Sequence, residues 1–325
     1  MKMAMFLDKF LGKYVEGSNI RRNKSYYYKD NKTFFLEDNM PTEENYTITS
    51  PYYSYVDLFQ GTFIDLSQYT EIPIIDDLDV IFLTLEWHIH RIEEIRKAYP
   101  DTFICAIIKE LYHISSFEDR IKFFNSCDAI LHQYHSLYFP DNFLSKNPIR
   151  KRVYFFPCPI DVNRYKERFY KHNKKDAILL YLPLQPERQG NTCKFTCELS
   201  EKYKIPYVTV NSNDRTEFFD ITSRYKYCFN LDPEPQLGQQ SIVNAIVKTL
   251  NFGGLNDANI ELFPKTATLD EKIIENEFKM CLDYPDYYTQ QVNFAHKKVV
   301  ETYSYEAVMK NFNNILTNEK NNILK

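Results

Sequence analysis

The stretch Tyr227-Cys-Phe-Asn-Leu-Asp-Pro-Glu-Pro-Gln-Leu-Gly-Gln-Gln-Ser-Ile-Val-Asn-Ala-Ile-Val-Lys-Thr-Leu-Asn-Phe-Gly-Gly254 decides how the chain is read. It begins as a short apolar strand running to Leu231 and passes through a loop punctuated by two prolines. A helix is predicted to start just after Gly238. Val243, Ile246, Val247 and Leu250 recur at helical spacing, and Gly253-Gly254 are expected to stop the helix. A glycine at a strand-to-helix turn lets a ligand come close to the backbone. The helix start behind it offers N–H groups and a positive dipole end to an anion. The chain has 7 glycines, and Gly190, Gly238, Gly253 and Gly254 all fall in its second half. An ordinary turn between strand and helix would read the same way, so the stretch needs its surroundings.

Working outward, residues 177–182 form a predicted strand, followed by a loop over 183–190 and a helix capped by Asn191 that runs to Tyr203. Residues 207–210 form a strand and 216–223 a short helix. Beyond Pro264, helices are expected over 270–282 and 286–302. Ser304 caps a last helix carrying Val308, Phe312, Ile315 and Leu316 on one face. The first half repeats the alternation. Strands at 80–85, 103–108, 128–134 and 152–156 are separated by helices at 88–99 and 115–125. Short apolar runs alternating with helices predict an α/β chain of two Rossmann-like, doubly wound domains, each with a parallel sheet. Ligands bind at the carboxyl ends of strands in such sheets. Residues 1–55 are the least periodic. Phe6, Phe10 and Tyr14 suit one face of a short helix, and 33–36 suit a strand.

Bulk composition narrows the field. The chain has 325 residues, 44% hydrophobic and 16% aromatic, enough for one or two full cores. The net charge of -4 and the absence of a long basic stripe give no reason to expect a nucleic-acid or anionic-membrane surface. No apolar stretch approaches the length of a membrane span. Seven scattered cysteines, with only Cys193 and Cys197 close together, read as reduced thiols of a cytoplasmic protein.

Several residues are candidates for chemistry. Arg188 and Lys194 flank Gly190 and Asn191 around a helix start, a cradle for a diphosphate that needs no metal, although the same residues fit a solvated loop. With Gln236, Gly238, Gln239, Gln240 and Asn244 of the focal stretch, and Asn211 after the 207–210 strand, they make up the predicted nucleotide-binding set. In the first half, Glu86, His88 and His90 follow one strand, Glu110 the next, and His132, Tyr134 and His135 the one after. Strand ends suit acid–base groups, and the His-x-His pair fits an exposed helix start equally well. Trp87, the only Trp, suits either sugar stacking or core filling. Asp77-Leu-Asp79 matches a D-x-D metal pattern but precedes its strand, at the amino end of the sheet, and reads as a solvated turn.

Taken in order, these pieces resemble a family. From about Asp79 to Leu316 the chain is similar to the two-domain GT-B glycosyltransferases, in particular the retaining enzymes of family 4. Asp79-Val-Ile-Phe with the later His-x-His resembles that family's D-V-x-H-x-H. Cys127-Asp-Ala-Ile-Leu-His-Gln-Tyr resembles its A-D-A-V-I-A-x-S strand, and Val153-Tyr-Phe-Phe-Pro-Cys-Pro-Ile-Asp-Val-Asn-Arg-Tyr its interdomain V-I-P-N-G-V-D segment. Gln236 and Asn244 stand where the family has the two glutamates of E-x7-E, and the Gly-rich first loop is missing. The resemblance implies an acceptor-binding domain over 1–160, a nucleotide-sugar-binding domain over 161–303, and a helix over 304–325 packing back on the first domain. It also implies retaining, metal-independent transfer from a nucleotide-diphosphate sugar, with no cofactor, to a glycan, lipid, protein or modified nucleobase. Glu110, His88, His90 and Glu86 would serve the acceptor hydroxyl. A nucleotide-sugar epimerase or hydrolase of the same fold, and a non-catalytic nucleotide- or carbohydrate-binding protein, remain open. The sequence does not indicate an oligomeric state.

Overall fold

The computed structural model describes residues 1–7, 26–29, 32–35, 55, 58–66, 69–84, 90–108, 117–133, 153–163, 173–181, 190–210, 220–231 and 238–323. They form a mixed α/β structure built on parallel sheets, in two compact units, Met1–Pro159 with Val308–Lys325, and Ile160–Ala307.

The first unit contains β1 (Met3–Leu7), a hairpin of β2 (Tyr26–Lys29) and β3 (Lys32–Phe35), then β4 (Thr62–Asp65), β5 (Val80–Thr84), α1 (Ile92–Ala98), β6 (Phe103–Ile108), α2 (Phe117–Ser126), β7 (Ala129–His132) and β8 (Val153–Phe155). Its main sheet has the order β4-β1-β5-β6-β7-β8, with every neighbouring pair parallel. The helical reading of the amino terminus is corrected here. Phe6 lies in β1, an internal strand of the sheet between β4 and β5, and residues 10 and 14 lie outside the described residues. Met3–Leu7 is too short and too uniformly apolar to carry a period, because both of its faces are buried. Ala4 and Phe6 join one core with Ile81, Leu83, Ile92, Ile95, Phe123 and Phe124. Met3 and Met5 join the other with Val80, Phe82, Phe156 and Phe312.

That second core depends on the end of the chain. The last helix, numbered α8 below, runs over Tyr305–Ile323, and from Val308 onward it belongs to the first unit. Phe312 packs its ring 5.0 Å from Phe59, 5.4 Å from Phe82 and 5.5 Å from Phe156. Asn311 donates to the Phe155 carbonyl at 3.0 Å, anchoring the helix over β8. Ser304 caps it as expected, accepting from Ala307 N at 3.2 Å.

The second unit contains β9 (Lys175–Tyr181), α3 (Gly190–Tyr203), β10 (Tyr207–Val210), β11 (Tyr225–Phe229), α4 (Gln239–Ile246), β12 (Leu250–Phe252), α5 (Asp257–Leu262), α6 (Glu271–Asp283) and α7 (Pro285–Tyr303). Its parallel sheet has the order β10-β9-β11-β12. Phe278 of α6 packs edge-on against Tyr227, Phe229 and Phe252 at 5.0–5.7 Å, sealing one face. The focal helix is shorter than its apolar spacing suggests. It closes at Val247, Lys248 turns left-handed at φ 56°, and Leu250 opens β12. Gly253 and Gly254 therefore end a strand, not a helix. Leu250 continued the helical spacing by coincidence, and sheet pairing with Tyr227 decided its conformation. Among the described residues, no helix is long and apolar enough to cross a membrane.

Lys174 binds the amino edge of this sheet together. Its ammonium donates to Ser223 O at 2.9 Å, Tyr225 O at 3.1 Å and Thr249 Oγ1 at 2.8 Å. Burial pushes its pKa down to about 7. An unfolded lysine titrates near 10.4. Between these values the unfolded chain binds the extra proton, so the charge on Lys174 opposes folding most strongly below pH 7, and stability rises as pH climbs from 7 towards 10. The expected outcome is a urea midpoint that increases between pH 7 and 9.5, by no more than about 1.4 kcal/mol per pH unit from this group. Lys174→Met should flatten that rise while lowering stability at pH 9.5. An equal slope in both proteins would remove Lys174 as its source.

Candidate functional site

The carboxyl edge of the second unit's sheet gathers the starts of its helices. After Phe229 the chain continues through Asn230 and Leu231, and Gly238 then opens α4 in the left-handed region at φ 72°, ψ 23°. A β-carbon built on Gly238 would lie 2.2 Å from Asn256 Oδ1 and 2.6 Å from the Ala258 β-carbon. Glycine is therefore required twice, by backbone conformation and by space. It has no side chain to cap the helix, and the first turn of α4 contains no acidic residue. The first turn of α3 contains none either. Thr192, fully buried in that turn, accepts from Leu231 N through Oγ1 at 3.2 Å, tying the start of α3 to the exit of β11. Two positive helix ends thus share one sheet edge without a carboxylate of their own to neutralise them.

Side-chain amides hold this edge. Gln240 accepts from Asn230 Nδ2 at 2.8 Å and donates to Cys228 Sγ at 3.0 Å. Burial pushes the Cys228 thiol up to about 11, partly offset by the Asn244 and Gln240 amides, so it stays protonated at neutral pH. Asn244 is fully buried and donates to Asn251 Oδ1 at 2.7 Å. Asn251 donates to Asn259 Oδ1 at 2.8 Å. Asn259 donates to the carbonyls of Gly253 and Gly254, the second at 3.0 Å, and its own N–H caps onto Asn256 Oδ1 at 2.8 Å. The ladder runs from α4 through β12 to α5. Each rung needs a donor at one end and an acceptor at the other, which an amide supplies and a carboxylate does not. The amide at position 244 is thus explained by its N–H.

The sequence-predicted residues divide accordingly. Gly238 is the helix-opening residue, as expected. Gly190 and Asn191 are the first two residues of α3, which places Asn191 inside the first turn rather than at the cap. Gln239 opens α4. Gln240 and Asn244 turn inward to Cys228, Asn230 and Asn251. Lys194 is 78% exposed, with its ammonium 3.9 Å from Glu198 on the next turn, an ordinary solvated i,i+4 pair. His90 is exposed in the turn before α1. Glu86, Trp87, His88, Glu110, Tyr134, His135, Arg188, Asn211 and Gln236 lie outside the described residues. Asp79 accepts from Lys2 N at 2.6 Å at the amino end of its strand. Among the described residues no group of three or more His, Cys, Asp or Glu is placed to hold a metal ion. Sequence reasoning missed Thr192, Asn230, Asn251, Asn256 and Asn259. The clustering of asparagine around Gly253-Gly254 was the available signal.

No family model and no curated protein matches the chain. Solved structures do. An α-glucosyltransferase in complex with UDP-glucose and DNA containing an abasic site matches over 98% of this chain and 99% of its own, with TM-score 0.56 and 11% identity. The trehalose-6-phosphate synthase OtsA matches over the same shares, with TM-score 0.59 and 10% identity. The sucrose-phosphate synthase of Thermosynechococcus elongatus matches over 98% of both chains, with TM-score 0.55 and 10% identity. The chain therefore has the fold of these glycosyltransferases, the GT-B fold expected from its sequence.

Proposed function

We propose that this protein is a glycosyltransferase that moves a sugar from a nucleotide-diphosphate donor to an acceptor hydroxyl. The observation that carries this reading is the pair of helix starts at the carboxyl edge of the second unit's sheet, neither with an acidic residue in its first turn and one opened by a glycine with no room for a side chain. Such an edge suits a diphosphate, whose charge grows as the sugar departs. The fold supports it, since UDP-glucose is bound in one structural neighbour. In this reading the 161–303 region takes the donor. Gly190, Asn191, Gly238, Gln239, Asn211 and Gln236 surround it, and Arg188 and Lys194 supply positive charge. Gln240 and Asn244 act through the position of α4. The 1–160 region takes the acceptor, a glycan, lipid, protein or modified nucleobase, with Glu86, His88, His90 and Glu110 as candidates to orient or deprotonate its hydroxyl. Seven free thiols fit residence in the cytoplasm.

A second reading, a non-catalytic nucleotide-sugar binder, is favoured by one observation. Asn244, which stands where the family has a glutamate, is fully buried and engaged in the amide ladder. Turnover separates the two readings, and acceptor dependence separates transfer from epimerisation or hydrolysis.

A thermal-shift screen of nucleotide sugars should single out one donor class, because a ligand at 100 times its Kd adds about 2.7 kcal/mol of stability. Purified protein should then consume that donor only when an acceptor is present. Failure of every nucleotide sugar to shift the melting temperature would overturn the function. Gly238→Ala should cost about 1–3 kcal/mol of stability from the left-handed backbone alone. It should also weaken nucleotide binding at least tenfold in calorimetry, because α4 must shift away from Asn256. Unchanged affinity would take the α4 start out of the site. Turnover should persist in EDTA and yield an α-linked product from an α-linked donor. Rescue by Mn²⁺ after loss in EDTA, or a β-linked product in proton NMR, would sink metal independence or retention respectively.

A further inference from the structure

At the carboxyl end of β7, directly after His132, Gln133 is buried to 8% exposure. Its partners fix which way its amide points. The Tyr55 hydroxyl lies 3.1 Å from the Phe156 carbonyl and 3.1 Å from the Pro157 carbonyl. Carbonyls only accept, so the single hydroxyl proton of Tyr55 is given to them. The Tyr55 oxygen must then receive a proton from Gln133, whose Nε2 stands 3.1 Å away. The amide nitrogen is committed by this count of donors and acceptors, which leaves Oε1 as the amide's remaining acceptor. That oxygen is buried and has no hydrogen-bond partner among the described residues. A buried carbonyl oxygen without a donor is costly, and native structures seldom retain one without use. Its place is the sheet edge where a doubly wound unit receives its ligand.

We infer that Gln133 is a positioning residue whose Oε1 accepts a hydrogen bond from a hydroxyl group of the acceptor. This rests on the reading of the chain as a glycosyltransferase whose first unit takes the acceptor. Gln133 carries no charge and is not the base. It orients the hydroxylated ligand, and Tyr55 with the two carbonyls keeps its amide from rotating. The rigidity matters because two stacked rings hold the hydroxyl in place: Tyr55 lies on Phe156 with centroids 5.1 Å apart and 12° between planes.

The test uses the full chain, the nucleotide sugar selected by thermal shift, and a panel of acceptors comprising methyl pyranosides and a hydroxymethylated oligonucleotide. Gln133→Met keeps the length and the apolar packing of the side chain and deletes the acceptor oxygen. The KM for the acceptor should rise about three- to tenfold, the worth of one neutral hydrogen bond. Donor Kd in calorimetry should stay within twofold. The monodeoxy form of the pyranoside should lose affinity for the wild-type protein and lose nothing further with the variant, because the two deletions remove the same bond. An unchanged acceptor KM overturns the proposal and marks Oε1 as the site of a buried water. An equal rise in donor Kd overturns it too, by showing a merely structural role. If the variant does not fold, the deoxy-pyranoside series on wild-type protein decides: no sensitive hydroxyl overturns the assignment. A wild-type protein that binds the donor but transfers to no member of the panel overturns the inference and leaves donor binding standing. A wild-type protein that binds no nucleotide sugar removes the functional reading itself.

Discussion

There is no space for a β-carbon at Gly238, and the second unit's carboxyl edge is arranged around that fact. Asn256 Oδ1 and Ala258 occupy the volume a side chain would take. The start of α4 is thereby held against the start of α5, while Thr192 holds the start of α3 against Leu231. Gly253 repeats the theme on the neighbouring strand. Its φ of 86° and the Asn230 carbonyl, 2.5 Å from where a β-carbon would stand, bring the exits of β11 and β12 together. A chain with 7 glycines places two of them at this edge, where backbone must meet backbone or a capping amide. The functional proposal depends on these close approaches, since a helix end presents its N–H groups usefully only if it is held still.

The polar interior behind that edge follows a different logic from an ion-pair network. Burying a carboxylate costs several kcal/mol unless it is fully paired, whereas a neutral amide costs little once its donor and acceptor are matched. The run from Asn244 through Asn251 and Asn259 to the Gly253 and Gly254 carbonyls matches almost every group. The Asn244 Oδ1 atom is the exception. The amide ladder at this edge is thus built from neutral groups, and in the proposed function the charge that meets a diphosphate comes from outside the ladder.

The first unit shows how far one helix can determine a core. Phe312 on α8 touches Phe59, Phe82 and Phe156, which come from three separate parts of the chain. The apolar face of that helix was legible because Val308, Phe312 and Ile315 recur at 3–4 residues. Which residues the face packs against was not, because β1 is short and uniformly apolar and the segment around Phe59 has no period. A strand buried on both faces shows no alternation. For the same reason the amino terminus was misread as a helix and β12 was absorbed into α4.

By itself the sequence determined the alternation of strands and helices, the parallel sheets and the GT-B class, because those rest on periodicity, turn residues and motif order along the chain. It also located the glycine that opens α4. Tertiary structure alone decided what the polar residues do there. Gln240 and Asn244 turn inward to other amides, Lys194 stays in solvent, and Asn251, Asn259 and Gln133 become important through partners as far as 78 residues away. The physical reason is that a hydrogen bond is set by distance and direction in space. An asparagine or glutamine has the same appearance in sequence whether it faces water, a ligand or another amide.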